Sequence, residues 1–119
     1  MTPALERYAS EPYCYLTTTG RVSGNPHEIE IWFGLNDGVL YLLSGGRERS
    51  DWVKNIQADP AVRLRIRDQE FEATARVVTD EEEDALARRL LAAKYQNWHE
   101  GQEMTDWART ALPVALEIQ

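Results

Sequence analysis

The stretch His27-Glu28-Ile29-Glu30-Ile31-Trp32-Phe33-Gly34-Leu35-Asn36-Asp37-Gly38-Val39-Leu40-Tyr41-Leu42-Leu43 decides the fold. Its first nine residues alternate: Ile29, Ile31 and Phe33 fall on one face, and Glu28, Glu30 and Trp32 on the other. A period of two is the mark of a half-buried strand. Asn36-Asp37-Gly38 is a hairpin turn of the Asp-Gly type, and Val39–Leu43 returns as the partner strand.

Outward from this hairpin the same grammar recurs. Upstream, Tyr13–Thr19 is aromatic and β-branched, the composition of a strand, and Ser10-Glu11-Pro12 separates it from a short helix over Ala4–Ala9. Downstream, Ser50 or Asp51 caps a helix carrying Trp52, Val53 and Ile56, which Asp59-Pro60 ends. Val62–Arg67 alternates strictly and turns at Asp68-Gln69 into Glu70–Val78. Thr79-Asp80-Glu81-Glu82 matches a capping box, with Thr79 at the cap, opening a helix with Leu86, Leu90 and Leu91 on its core side that runs to about Gln96. A short helix near Met104–Thr110 precedes a last strand over Pro113–Ile118. Six mainly antiparallel strands with helices between them predict an α+β protein built on a closed or nearly closed barrel, because closure removes exposed edges. No repeat, low-complexity tract or linker interrupts the 119 residues, so residues 1–119 read as a single domain.

Thirteen Lys and Arg against twenty Asp and Glu leave a net charge of −7, which repels nucleic-acid phosphates over most of the surface. No apolar run approaches the ~20 residues that span a bilayer, and the N-terminus lacks a secretion pattern. Cys14 is the only cysteine, and these absences favour the cytoplasm. His27 and His99 lack the spacing of a metal site, and neither a nucleophile elbow nor a phosphate loop of the known types occurs.

Two loops carry chemistry suited to an anion. Gly20-Arg21-Val22-Ser23-Gly24 gathers backbone donors, a hydroxyl and a guanidinium, and Ser44-Gly45-Gly46-Arg47 leads into a helix N-terminus. Read from spacing alone, both are equally plain glycine turns with solvated arginines. Trp32, Trp52, Tyr95 and Trp98 offer flat walls for a ring, or else are packing residues. His27 either touches an anion or begins its strand, and Cys14 reads as a small buried hydrophobe.

At Thr17-Thr18-Thr19-Gly20-Arg21-Val22-Ser23-Gly24-Asn25-Pro26 the chain resembles the deazaflavin-dependent nitroreductase and quinone reductase family. The likeness continues through Tyr41–Gly46, Trp52–Val62 with its Asn55 and Asp59-Pro60, Phe71–Val78, and Leu112–Glu117. It implies a split β-barrel of the FMN-binding, pyridoxamine-phosphate-oxidase-like type that binds coenzyme F-420 and passes hydride to a quinone, nitro compound or activated alkene; the alternatives are an FMN-binding flavoprotein of that group and a barrel that binds a cofactor without turnover. In such a protein the cofactor does the chemistry and the chain orients it. By this resemblance Arg21, Ser23, Gly24 and His27 hold the phosphate or acidic tail. Ser44, Gly45 and Gly46 contact tail or ring through their backbone, and Trp52 and Asn55 support the loop. Trp32 faces the ring pocket, and Tyr95 and Trp98 line the substrate side. The chain departs from the family pattern at Val22 and His27, where basic residues are usual, and in a shorter Ser44 loop. Each lost charged contact costs about 1.5–3 kcal/mol of tail binding, with Arg47, Arg49 and Lys54 near enough in sequence to compensate. A chain of this length builds only a shallow pocket, which favours a homodimer.

Overall fold

A computed structural model describes residues 5–119; Ala4, the first residue of the expected leading helix, lies outside them, and Leu5–Tyr8 form a single 3-10 turn. Seven strands follow: β1 (Cys14–Thr19), β2 (Pro26–Ile31), β3 (Gly34–Asn36), β4 (Val39–Ser44), β5 (Ala61–Ile66), β6 (Gln69–Val77) and β7 (Leu112–Ile118). Between them lie α1 (Asp51–Ala58), α2 (Glu81–Tyr95) and α3 (Asp106–Thr110). The sheet is antiparallel throughout, in the order β2-β1-β5-β6-β7-β4-β3.

The two end strands of that order, β2 and β3, are neighbours in the chain, joined only by Trp32 and Phe33. A two-residue link holds its ends within about 11 Å, so the sheet must curl until its edges meet. The result is a barrel split along one seam. This also explains why there are seven strands and not the expected six: the alternating run His27–Leu35 is not one strand. It pairs with β1 as far as Ile31, then leaves that ladder and pairs with β4 from Gly34 onward. Side-chain alternation continues across the break, with Trp32 outside and Phe33 fully buried, so periodicity alone shows one strand where hydrogen bonding makes two. The Asp37-Gly38 turn has φ of 52° and 79°, the doubly left-handed geometry that matches strand twist.

The barrel interior is filled by Leu16, Phe33, Leu40, Leu42, Leu64, Ile66, Phe71, Val114 and Leu116. A second apolar layer lies outside the barrel, where α2 covers Tyr41, Leu43 and Ala115 with Ala87 and Leu91. β4 and β7 are therefore buried on both faces and read as continuous apolar runs, whereas β1 and β5 alternate. Leu86 and Leu90, expected on the core side of α2, are only partly buried; the small residue Ala87 takes the close contact. The α2 cap is Asp80 and not Thr79, since its carboxylate accepts from the Glu83 amide at 2.9 Å. Glu83, one turn inside, is drawn away to Arg76 and Tyr41 instead of closing a capping box. Among the described residues no helix is long and apolar enough to cross a membrane.

Candidate functional site: two clefts along one edge strand

The first cleft, of about 640 Å³, opens where β1 turns into β2. The turn is closed by Gly20 N donating to Asn25 O at 2.8 Å and Gly24 N donating to Gly20 O at 2.9 Å, with Gly24 at φ 76°. A Cβ on Gly20 would lie 2.6 Å from His27 Nε2 and 2.8 Å from Ser23 Oγ. Only glycine lets those two side chains pack across the turn. The Ser23 hydroxyl accepts from the Asn25 amide at 3.1 Å, so it shapes the loop as well as lining the cleft.

Arg21 is held in position by α1. Its guanidinium donates to Asn55 Oδ1 at 2.9 Å and to Asp51 Oδ1 at 3.2 Å, and its own amide donates to Asn55 Oδ1 at 3.2 Å. Asn55 is 4% exposed, and its amide nitrogen donates to Thr18 Oγ1 at 3.1 Å. One buried side chain thus ties β1, the glycine turn and α1 together. Trp52 stands beside it on the cleft wall with its other face on the barrel core. The structure therefore brings Arg21, Ser23, His27, Trp52 and Asn55 to one place, with Gly24 in the adjoining turn.

The Ser44 loop leads into the N-terminus of α1, next to Asp51. Ser44 is 2% exposed, and its hydroxyl bonds Arg47 O at 2.9 Å and Ser50 Oγ at 2.7 Å. That is why Ser50, at the α1 N-cap, makes no side-chain cap bond. A Cβ on Gly46 would meet Ser50 Oγ at 2.6 Å, and one on Gly45 would sit 3.4 Å from Trp107 Cδ1. With the serine turned inward, this loop can present a ligand only its backbone. Arg47 is committed elsewhere, to the Thr110 carbonyl and to Glu48 at 3.4 Å.

The second cleft, of about 520 Å³, is lined by Glu30, Ile31, Trp32, Leu43, Gln96 and Trp107. Trp32 is 43% exposed although it stacks on Tyr95, with ring centroids 4.4 Å apart and planes 3° from parallel. Trp107 stands at 89° to Trp32 with centroids 5.4 Å apart, so the two indoles form a corner. Tyr95 is the buttress of this corner. Its hydroxyl accepts from the Phe33 amide at 3.0 Å and faces the Pro12 and Phe33 carbonyls at 2.8 and 3.1 Å. Lys94 Nζ donates to the same Phe33 carbonyl at 3.0 Å and lies 3.6 Å from the Phe33 ring centroid. Burial pushes the Tyr95 phenol up to about 12 and the Lys94 ammonium down to about 8. Cys14, behind them, is fully buried and likewise pushed up to about 12 by burial, so it is a packing residue.

Trp98 lies away from this corner. Its indole N–H donates to Gln102 O at 2.9 Å, and it lines grooves beside Lys94 and Leu90 and beside Asn97 and Thr105. Tyr95 supports Trp32 from behind. The residue that sequence reasoning passed over is Trp107. Thr105 caps α3, accepting from the Ala108 amide at 3.2 Å, but a cap marks only where the helix starts, and no local signal shows that Trp107 reaches Trp32.

The two clefts share their walls. β2 supplies Pro26–Ile29 to the first and Glu30 and Ile31 to the second, with Trp32 just beyond. The segment from β4 to α1 supplies Leu43 to the second and Asp51, Trp52 and Asn55 to the first. Seven residues of extended chain cover about 23 Å, enough for an elongated ligand with a charged tail and a flat head. The chemistry fits a flavin-type coenzyme in the same sense: a prepositioned guanidinium at one end, an exposed indole at the other. Among the described residues no group of three or more His, Cys, Asp and Glu is gathered as a metal site.

The chain is similar to known proteins over nearly its whole length. Residues 3–119 match the F-420H(2)-dependent quinone reductase family. A solved F-420-H2 dependent reductase is 25% identical, aligned over 92% of this chain and 95% of that one with a TM-score of 0.68. A structure described as a domain-swapped dimer is 26% identical over 92% of this chain and 81% of that one, also at a TM-score of 0.68. A Listeria innocua protein named for pyridoxamine 5'-phosphate oxidase shares the split barrel, with 16% identity over 97% and 90% of the two chains and a TM-score of 0.71. The chain belongs to the F-420H(2)-dependent quinone reductase family, and it is an oxidoreductase that works with coenzyme F-420.

Proposed function

We propose that the chain transfers hydride from reduced coenzyme F-420 to a small planar acceptor, a quinone, nitro compound or activated alkene, with the coenzyme laid along β2. The observation that carries this reading is the pairing of a charged cleft and an aromatic cleft on one edge strand. When bound, the coenzyme supplies a hydride, and a quinone acceptor completes its reduction with one further proton from water.

The chain's own residues bind and orient. Arg21, preset by Asn55 and Asp51, receives the phosphate or acidic tail, with Ser23, Gly24 and His27 around it. Because the guanidinium is already ordered, little side-chain entropy is lost on binding. Asp51 shares that guanidinium, which tempers its pull on a polyanion. Ser44, Gly45 and Gly46 offer backbone groups only. Trp32 and Trp107 give the ring and the acceptor two flat walls, and Leu43 and Ile31 exclude water from below. No side chain need act as an acid, since the protein's task is orientation and desolvation.

The structural relative described as a domain-swapped dimer supports a homodimer for this chain as well. Two further features favour it: β2 is an edge strand, and Val22 beside it is 93% exposed. The acceptor class is tested by mixing the protein with the reduced coenzyme and a panel of quinones, nitroarenes and activated alkenes. Oxidation of the coenzyme that needs both protein and acceptor is expected. No oxidation with any member would overturn the reading.

A further inference from the structure

This inference rests on reading the Trp32–Trp107 corner as the hydride-transfer site, and it concerns the charge of the acceptor. Glu30 lies on β2 at the rim of that cleft. Its Oε1 accepts from the Tyr15 hydroxyl across the β1–β2 ladder at 3.1 Å. Among the described residues no cationic nitrogen comes within 4.0 Å of its carboxylate. Arg65, opposite Tyr15 on β5, lies over the Tyr15 ring at 4.2 Å and pairs with Glu28 at 3.8 Å. On the Trp107 side, Arg109 pairs with Asp106 and Arg47 with Glu48 and the Thr110 carbonyl. Gln96, the other polar wall, is held as an acceptor by the Thr105 hydroxyl at 2.6 Å.

The aromatic cleft therefore carries one uncompensated negative charge next to two indoles. Aromatic faces and a carboxylate both attract positive charge and repel negative charge. We infer that Glu30 makes this cleft select uncharged or cationic planar acceptors and discriminate against anionic ones. The reduced coenzyme keeps its own negative charges in the Arg21 cleft, away from Glu30. Trp107 sets the second wall of the same subsite and fixes the plane of whatever rests on Trp32.

Glu30 is exposed, so the discrimination is on the scale of an exposed charge pair, about fivefold. The test compares menadione, which is neutral, with naphthoquinone sulfonate, which is anionic. Binding to the cofactor-free protein is read by tryptophan fluorescence, and turnover with the reduced coenzyme by kcat/KM. The menadione-to-sulfonate ratio should fall about fivefold in Glu30→Gln, mostly through KM, and should shrink in the wild type at high salt. Glutamine keeps an acceptor for the Tyr15 hydroxyl, so the strand pairing is preserved. Glu30→Lys should reverse the preference. Trp107→Ala should weaken both acceptors alike, with Trp107→Phe restoring most of the loss.

The same ratio in wild type and Glu30→Gln would overturn the inference while leaving hydride transfer intact. A ratio that responds to Glu30 in binding, with no coenzyme oxidised by any acceptor, would support the charge selection and sink the catalytic reading.

Discussion

Asn55 is the residue on which the charged cleft depends. It is buried and satisfies three groups at once: the Arg21 amide, the Arg21 guanidinium and the Thr18 hydroxyl. Asn55→Ala removes the partner of the Arg21 amide and of the Thr18 hydroxyl and leaves the guanidinium with Asp51 alone, and each lost bond costs about 1 kcal/mol. We expect a loss of about 2–3 kcal/mol in denaturant unfolding together with weaker coenzyme binding, because Arg21 loses its buried anchor and keeps only the exposed Asp51. Undiminished stability would mean that the three bonds are not formed together. A second residue-scale prediction concerns acid. The Arg76 guanidinium, with its N–H donors 2.7 and 2.8 Å from the Glu83 oxygens, holds that carboxyl down at about 2 against the opposing effect of burial, with the Tyr41 hydroxyl adding at 2.7 Å. A carboxyl whose folded pKa is depressed contributes stability above its unfolded value of about 4.5 and loses it as pH falls towards about 2. Unfolding free energy should decline across that window, and Glu83→Gln should flatten the decline.

At the scale of elements, the crossing at Trp32-Phe33 is where the sheet changes partners and where the aromatic cleft is built. Tyr95 and Lys94 grip that crossing from the end of α2. Tyr95→Phe keeps the ring under Trp32 but strands the Phe33 amide. It should cost about 1–2 kcal/mol and loosen Trp32, read as easier quenching of its fluorescence; an unchanged quenching profile would count against the buttress. The hairpins on either side were legible in the sequence because Asp37-Gly38 and strict alternation are local signals. The break at Trp32 was not, because the side-chain period runs through it and only the change of ladder marks it. The helix cap was misjudged by one residue for a similar reason: Thr79 and Asp80 both stand three residues before a glutamate, and the competing pull of Arg76 on Glu83 is tertiary. Arg21, Ser23, Trp52 and Asn55 came to the site through the family resemblance and not through spacing, and Asn55, expected to support the Ser44 loop, is bonded instead to Arg21 and Thr18. Trp98 and Trp107 could not be told apart in sequence. Which one reaches Trp32 depends on how α3 docks after α2, and that is decided by packing.

At the scale of the whole molecule, the barrel leaves one strand, β2, with both an outer edge and two clefts. The strand is exposed over Pro26–Glu28 and only partly covered at Ile29 and Ile31. A homodimer should therefore sediment at twice 13.7 kDa, and a monomer at all concentrations would contradict the pairing. The net charge of −7 sets a second global constraint: a polyanionic coenzyme must be captured locally, by Arg21 and the glycine turn, against the field of the rest of the surface. The split barrel supplies the rigid frame that makes such local capture possible. On the function we propose, coenzyme F-420 lies along β2 with its tail on Arg21. The most direct test is parallel titration of the protein with oxidised F-420 and with FMN, following the fluorescence of each. Saturable binding of F-420, weakened by salt and about tenfold or more in Arg21→Ala, is the predicted result. Binding of FMN alone, or F-420 binding that is indifferent to Arg21 and to salt, would contradict it.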